Sequence, residues 1–184
     1  MSKSRPAYVP FKLDPTGTTH LVVTSLAASP PELEDALAEV ELWTVAHAGP
    51  GIPAPAAEYL HPFRSPTELL AQLQSRLGRA AIGLRLYAIG SEAFIWDAAN
   101  IAVAAGLGRG EIFTYQAGPK LRRVYCTHCR TMIEDVTVNV VPCPACKASL
   151  FVRDHFSRRL AAFMGVKVDA EAPGEIPAPE EFTT

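Results

Sequence analysis

The sequence predicts an α/β fold: a parallel sheet with helices on both faces, followed by a small four-cysteine module and an extended tail. Three observations lead there. Over the first 120 residues apolar runs alternate with serine-capped amphipathic stretches, all four cysteines fall in two Cys-x-x-Cys pairs between Cys126 and Cys146, and "AEAPGEIPAPEEF" stands near the C-terminus. Apolar residues make up 48% of the chain and charged residues 20%, which allows a real core and excludes a disordered chain. A net charge of −2 gives no reason to expect nucleic acid or an anionic membrane as partner.

The elements follow in order. "HLVVTSL" (His20 to Leu26) is an apolar run of the buried-strand type. Ser29-Pro30-Pro31-Glu32 then offers a capping serine and prolines at a helix start, predicting a helix over Pro31–Val40 that leads into the strand "ELWTVAHA". "GPGIPAPAAEYLHP" (Gly49 to Pro62) reads as a proline-rich loop in place of a helix. Ser65-Pro66-Thr67-Glu68 repeats the cap and opens a helix over Pro66–Leu77. "GLRLYAIG" is the next strand, and Ser91 caps a helix that buries Phe94, Ile95, Ala98, Ile101 and Ala102 at helical spacing. "GLGRGEIFTY" turns back into a final strand. Strands alternating with helices argue a parallel sheet. The most apolar stretch, "AFIWDAANIAVAAGLG", carries Asp97 and Asn100 and falls short of the roughly 20 residues of a spanning helix, so it is expected in the core, with no membrane span. The opening "MSKSRPAYVP" lacks the apolar run of a secretory signal, so a cytoplasmic location is expected.

In a reducing cytoplasm, closely spaced cysteine pairs are metal ligands more often than disulfides. Cys126/Cys129 and Cys143/Cys146 are separated by thirteen residues, room for a strand, a turn and a return strand. Four thiolates close a tetrahedral zinc shell, so the spacing predicts a structural zinc ribbon. Val136, Val138 and Val140 alternate with Thr137, Asn139 and Val141, a period-two strand signal, and "LFVRDHF" offers the next strand. Iron in the same shell, rubredoxin-like, is the rival reading. Both knuckles carry Arg130 or Lys147 where a glycine usually follows the second cysteine. His128 need not be a ligand, and a closed shell leaves no position for catalysis.

Residues 120–159 hold eight Lys or Arg against Glu134, Asp135 and Asp154, a local balance of +5. Without aromatic interleaving such a patch reads as a solvated or partner-facing surface. The turn after the first strand, "TSLAASPP", has no glycine to admit a pyrophosphate, and Gly90-Ser91 reads as a helix cap. His20, His47, His61 and His155 are scattered, and Glu92 and Asp97 are expected to face solvent or a partner. No catalytic residue and no cofactor-binding residue is predicted; the metal ligands are Cys126, Cys129, Cys143 and Cys146.

"RLYAIGSEAFIWDAANIAVAAGLGRGEIFTY" resembles the end of the NAD(P)-binding domain of ferredoxin-reductase-type flavoproteins, in a form degenerate at the phosphate turn. "RRVYCTHC", the ribbon and "LFVRDHFSRRLAAFMGVKVDAEAPGEIPAPEEF" are similar to the small zinc-ribbon subunit of dimethylamine monooxygenase, the DmmA-like family. That resemblance implies a non-catalytic, zinc-binding assembly subunit of a heme-dependent oxidative N-demethylase. It implies three partners: a heme PAS-type subunit, an NADPH-linked flavin (FMN) and iron–sulfur (2Fe-2S) reductase, and a tetrahydrofolate-binding subunit resembling aminomethyltransferases. Heme, FMN, 2Fe-2S, NADPH and tetrahydrofolate are expected on those partners, and structural zinc on this chain. The alternative is a redox component that binds NAD(P)H or a rubredoxin-like iron. The expected organisation is a degenerate reductase-like α/β domain over 1–120, the zinc ribbon over 121–160 and a proline-rich acidic docking tail over 161–184.

Overall fold

Strands Thr19–Thr24 (β1), Val40–Val45 (β2), Leu60–Phe63 (β3), Leu84–Gly90 (β4) and Ile112–Gln116 (β5) form a five-stranded sheet in the order β3-β2-β1-β4-β5. Every neighbouring pair is parallel. The computed structural model describes residues 4–26, 33, 40–45 and 60–182. Within them the chain divides into two compact units, Tyr8–Gly118 on one hand and Met1–Ala7 with Pro119–Thr184 on the other.

The central strands of the first unit are apolar on both sides because both faces are covered. Leu21, Val23, Leu86 and Ala88 face the helices Pro66–Leu77 (α1) and Glu92–Ala104 (α2). In α1, Leu69, Leu73 and Leu77 recur every four residues and are buried, and Ser65 accepts the backbone N–H of Glu68 at 3.1 Å. Such a cap contributes about 1 kcal/mol. In α2, Phe94, Ile95, Ala98, Ala99 and Ala102 are buried beneath a cap from Ser91. Val22, Tyr87 and Ile89 point to the other face, where they meet Leu33, Leu42 and Tyr115. The helix expected over Pro31–Val40 lies outside the described residues except for Leu33, which is in this second core, and Val40, which opens β2.

An N-terminal strap secures that second face. The Phe11 ring lies 5.6 Å from Tyr87 and 5.1 Å from Tyr115, and the Asp14 backbone N–H donates to the Tyr87 hydroxyl at 2.9 Å. Asp14 also takes a hydrogen bond from Arg85 at 2.6 Å; that guanidinium, aided by Thr16, holds its carboxyl down to about 2. Tyr8 donates to Glu92 at 3.0 Å and accepts from the Trp96 indole at 3.0 Å, so Glu92, expected to face solvent or a partner, is bonded within its own unit.

One strand was not legible. Leu60–Phe63 pairs with β2 although it ends the stretch read as a proline-rich loop. Pro62 is tolerated because β3 is an edge strand, where a missing N–H breaks no interior ladder.

The second unit is also a five-stranded sheet, built from Arg122–Cys126 (β6), Met132–Val136 (β7), Val140–Pro142 (β8), Ser149–Ser157 (β9) and Ala162–Lys167 (β10) in the order β7-β6-β10-β9-β8. Two expectations change here. The docking tail expected over 161–184 does not start there, since β10 takes the centre of the sheet, parallel to β6 and antiparallel to β9. Its residues Ala162, Phe163 and Gly165 are buried, and a Cβ at Gly165 would stand 2.7 Å from Val124. The strand signal over Val136–Val141 is split at 137–139, whose backbone turns to pair with the end of the chain. The chain's start also departs from the expected 1–120 domain. Ser4 donates its N–H to the Asp154 carbonyl at 3.3 Å and accepts that of Phe156 at 3.2 Å, joining the ribbon unit. Among the described residues no helix is long and apolar enough to cross a membrane.

Candidate metal centre

The centre is assembled from two turns of the same design. Cys126 ends β6 and Cys143 follows β8, and both are fully buried. In the first turn the Arg130 N–H donates to the Cys126 carbonyl at 2.8 Å and the Cys126 N–H donates to Thr131 at 2.9 Å. In the second, Lys147 N–H donates to Cys143 at 3.0 Å and Cys143 N–H to Ala148 at 2.9 Å. Arg130 and Lys147 have φ of 66° and 63°, the left-handed conformation that glycine adopts most readily. The chain therefore keeps the backbone of a glycine-ended knuckle with cationic residues in the glycine's place. β10 supports the first turn: Thr127 donates both its N–H and its hydroxyl to the Gly165 carbonyl, each at 3.0 Å.

The structure brings the four predicted ligands together. All four sulfurs lie within 4.8 Å of one another, with Cys126–Cys146 at 3.9 Å and Cys129–Cys143 at 3.5 Å. Metal–sulfur bonds of about 2.3 Å in a tetrahedron require sulfur separations of about 3.8 Å, so the donor set fits one ion. Tetrahedral four-thiolate shells suit zinc or iron.

Charge makes the same point. The Thr131 hydroxyl, 3.2 Å from Cys129, and the Thr131 backbone N–H hold that thiol down to about 6. The Ala148 N–H lowers Cys146, but burial and the three neighbouring sulfurs outweigh it and push its thiol up to about 11. Four sulfurs this close cannot all ionise without a cation, and a bound divalent ion removes that obstacle.

His128 is exposed and lies outside the sulfur cluster. The other histidines stay apart: His20 is 3.0 Å from the Tyr87 hydroxyl, His155 is 3.2 Å from Ser4, and His61 lies beside Trp43 with ring centroids 6.0 Å apart. His47 falls outside the described residues. Sequence reasoning missed Thr131, whose only signal was a hydroxyl two residues after a ligand. It also missed Arg122, buried between the rings of Phe163 (4.2 Å) and Phe182 (3.8 Å) and paired with Asp154 at 3.2 Å. A lone phenylalanine in an acidic, proline-rich ending was its available sign.

A parallel sheet in this order reverses direction between β1 and β4, and the crevice at the strand C-termini there is where doubly wound folds hold dinucleotides. Here Ser25 follows β1 and donates its N–H to the Ile89 carbonyl at 3.2 Å. A Cβ at Gly90 would run into the Ser25 hydroxyl and stand 3.2 Å from Phe94. The glycine thus makes room for the Ser25 side chain.

Comparison with known proteins places the chain. Residues 46–112 and 123–166 match, respectively, the N-terminal and C-terminal domains of the dimethylamine monooxygenase subunit DmmA-like family. The chain is also 36% identical over 170 residues, 92% of its own length and 91% of the relative's, to the heme-dependent oxidative N-demethylase delta subunit of Ectopseudomonas mendocina (strain ymp). The chain belongs to the DmmA-like family. The C-terminal DmmA-like match takes in all four cysteines and most of β10, including Gly165, so the strand that braces the first turn is part of the family domain. No solved structure matches the chain, so the likeness of its first part to ferredoxin-reductase domains rests on the sequence stretch alone.

Proposed function

We propose that this chain is a non-catalytic, zinc-binding assembly subunit of a multi-subunit heme-dependent oxidative N-demethylase. The four-sulfur cluster carries the reading, because Cys126, Cys129, Cys143 and Cys146 would fill a tetrahedral zinc shell, join β6 to the turn after β8 and leave no position for water or substrate. Family membership and the delta-subunit relative support a place in such an assembly. Following the resemblance, the partners are a heme PAS-type subunit, an FMN and 2Fe-2S reductase using NADPH, and a tetrahydrofolate-binding aminomethyltransferase-like subunit. The acidic end of the chain, 168–182, is the docking element for them.

The test is metal analysis of protein produced with both zinc and iron supplied, together with purification of the native complex. The expected result is about one zinc per chain, a colourless solution and co-purification with the catalytic subunits. Elution as a stable monomer beside all three partners would end the assembly reading.

A second reading, a redox component, is favoured by two observations: the paired knuckles, which suit iron as well as zinc, and the β3-β2-β1-β4-β5 order, which suits a nucleotide. Stoichiometric iron with thiolate-to-iron absorption, or saturable NADPH binding near ~10 µM, would establish it.

A further inference from the structure

The end of the chain is held at two points. After β10, Val168 donates its N–H to Ser149 at 2.9 Å, and the Asp169 carboxylate accepts the Gly174 N–H at 3.3 Å, closing a small loop. That hydrogen bond keeps the Asp169 carboxyl below its usual range. Six residues on from Gly174 the chain is caught again. Asn139 and Glu180 exchange backbone and side-chain hydrogen bonds: Asn139 N–H to the Glu180 carbonyl and Glu180 N–H to Asn139 Oδ1, both at 2.8 Å. Phe182 then donates its N–H to Thr137 at 3.2 Å and lays its ring on the Arg122 guanidinium.

Between these anchors hangs Glu175–Pro179, exposed throughout, with Ile176 54% exposed. Pro177 and Pro179 have no N–H and a fixed φ, so the segment is stiff and poorly suited to join its own sheet as a strand. From Val168 to Thr184 the sequence has five Asp or Glu and no Lys or Arg. Arg122, 6% exposed and paired with Asp154, is held between the Phe163 and Phe182 rings, so the chain end is fixed on the ribbon unit's own core.

We propose that Glu175–Pro179 is a preorganised ligand that seats in an apolar, basic-rimmed groove on another subunit of the assembly. The inference rests on the assembly reading above and adds which residues dock and what receives them. Ile176 supplies the apolar anchor, the prolines supply a low-entropy extended backbone, and Glu171 and Glu175 supply the charge that the groove's rim answers. Holding both ends in cis removes much of the ordering cost that a free tail would meet on binding. The acidic charge disfavours an anionic membrane or nucleic acid in the same role.

The experiment uses the full chain mixed with the purified catalytic subunits, with association measured by titration and by size exclusion. Ile176→Asp and Glu175→Lys lie outside both anchors, so metal content and ribbon melting should match the parent while association weakens about tenfold or more. Ile176→Val should stay within about twofold, and Phe182→Ala, which frees one anchor with Ile176 intact, should weaken association by about threefold to tenfold. Parent-like association of both Ile176→Asp and Glu175→Lys would overturn the proposal while leaving the assembly reading standing. A parent chain that fails to associate at all would overturn both.

Discussion

The two sheets of this chain have five strands each, and they are stabilised by different means. The parallel sheet is buried on both faces: Leu21, Val22, Val23, Leu86, Tyr87, Ala88 and Ile89 are all 1% exposed or less, and helices and an N-terminal strap cover them. The second sheet alternates. β7 reads exposed, half-buried, exposed, exposed, buried, and one of the unit's core clusters consists of Cys126, Cys143 and Leu150 backed by Cys129, Cys146, Ile133, Val141 and Ala148. An ion held by the four cysteines would add a cross-link to that packing. The lesson is that in one core cluster of the second unit cysteine stands among the buried residues where leucine stands in the first.

The largest expected effect breaks that contrast directly. Cys143→Ser removes one of four ligands and should unfold the ribbon, since a structural site contributes its metal-binding energy, about 10–16 kcal/mol in small zinc peptides, to folding. Hydrogen exchange should show protection lost in β6–β10 and kept in β1 and β4. Both tryptophans, Trp43 and Trp96, lie in the first unit, so their fluorescence should remain native. Loss of protection in both units together would mean that the two sheets fold as one.

Leu73→Ala is the converse. It empties a fully buried site beneath α1 and should cost about 2–5 kcal/mol, read as an earlier denaturation midpoint by tryptophan fluorescence with metal content unchanged.

A smaller effect follows from charge. Asp14 is held down to about 2 by Arg85, so its carboxylate stabilises the folded first unit fully above its ordinary range near 4. That stabilisation is lost as pH falls from about 4 through about 2. Asp14→Asn should lower the melting temperature at pH 7 and flatten its dependence on pH across that window. An unchanged acid limb would assign the acid sensitivity to other carboxylates.

The smallest effect sharpens the view of the ribbon. Arg130→Gly and Lys147→Gly relieve left-handed backbone at φ 66° and 63° and should each raise ribbon stability by up to about 1 kcal/mol, measured as resistance to a chelator. A loss instead would show that these cations support the sulfur cluster through their charge.

Sequence alone determined the features set by local chemistry. Ser65 and Ser91 cap their helices because a serine oxygen satisfies N–H groups that the first turn leaves free. The four cysteines announced one site because their spacing allows two turns to meet. Apolar runs announced buried strands because only a strand covered on both faces can be apolar at every position. What only the tertiary structure decided depends on partners distant in sequence. β10 reads as part of a tail until Val124 and Leu150 close around Gly165. Leu60–Phe63 reads as loop until β2 offers it an edge. Thr137–Asn139 leave their strand because Glu180 and Phe182, some forty residues onward, supply the hydrogen bonds. In each case the backbone groups were satisfied by a segment remote in the chain, and periodicity, which registers only near neighbours, carries no trace of such a pairing.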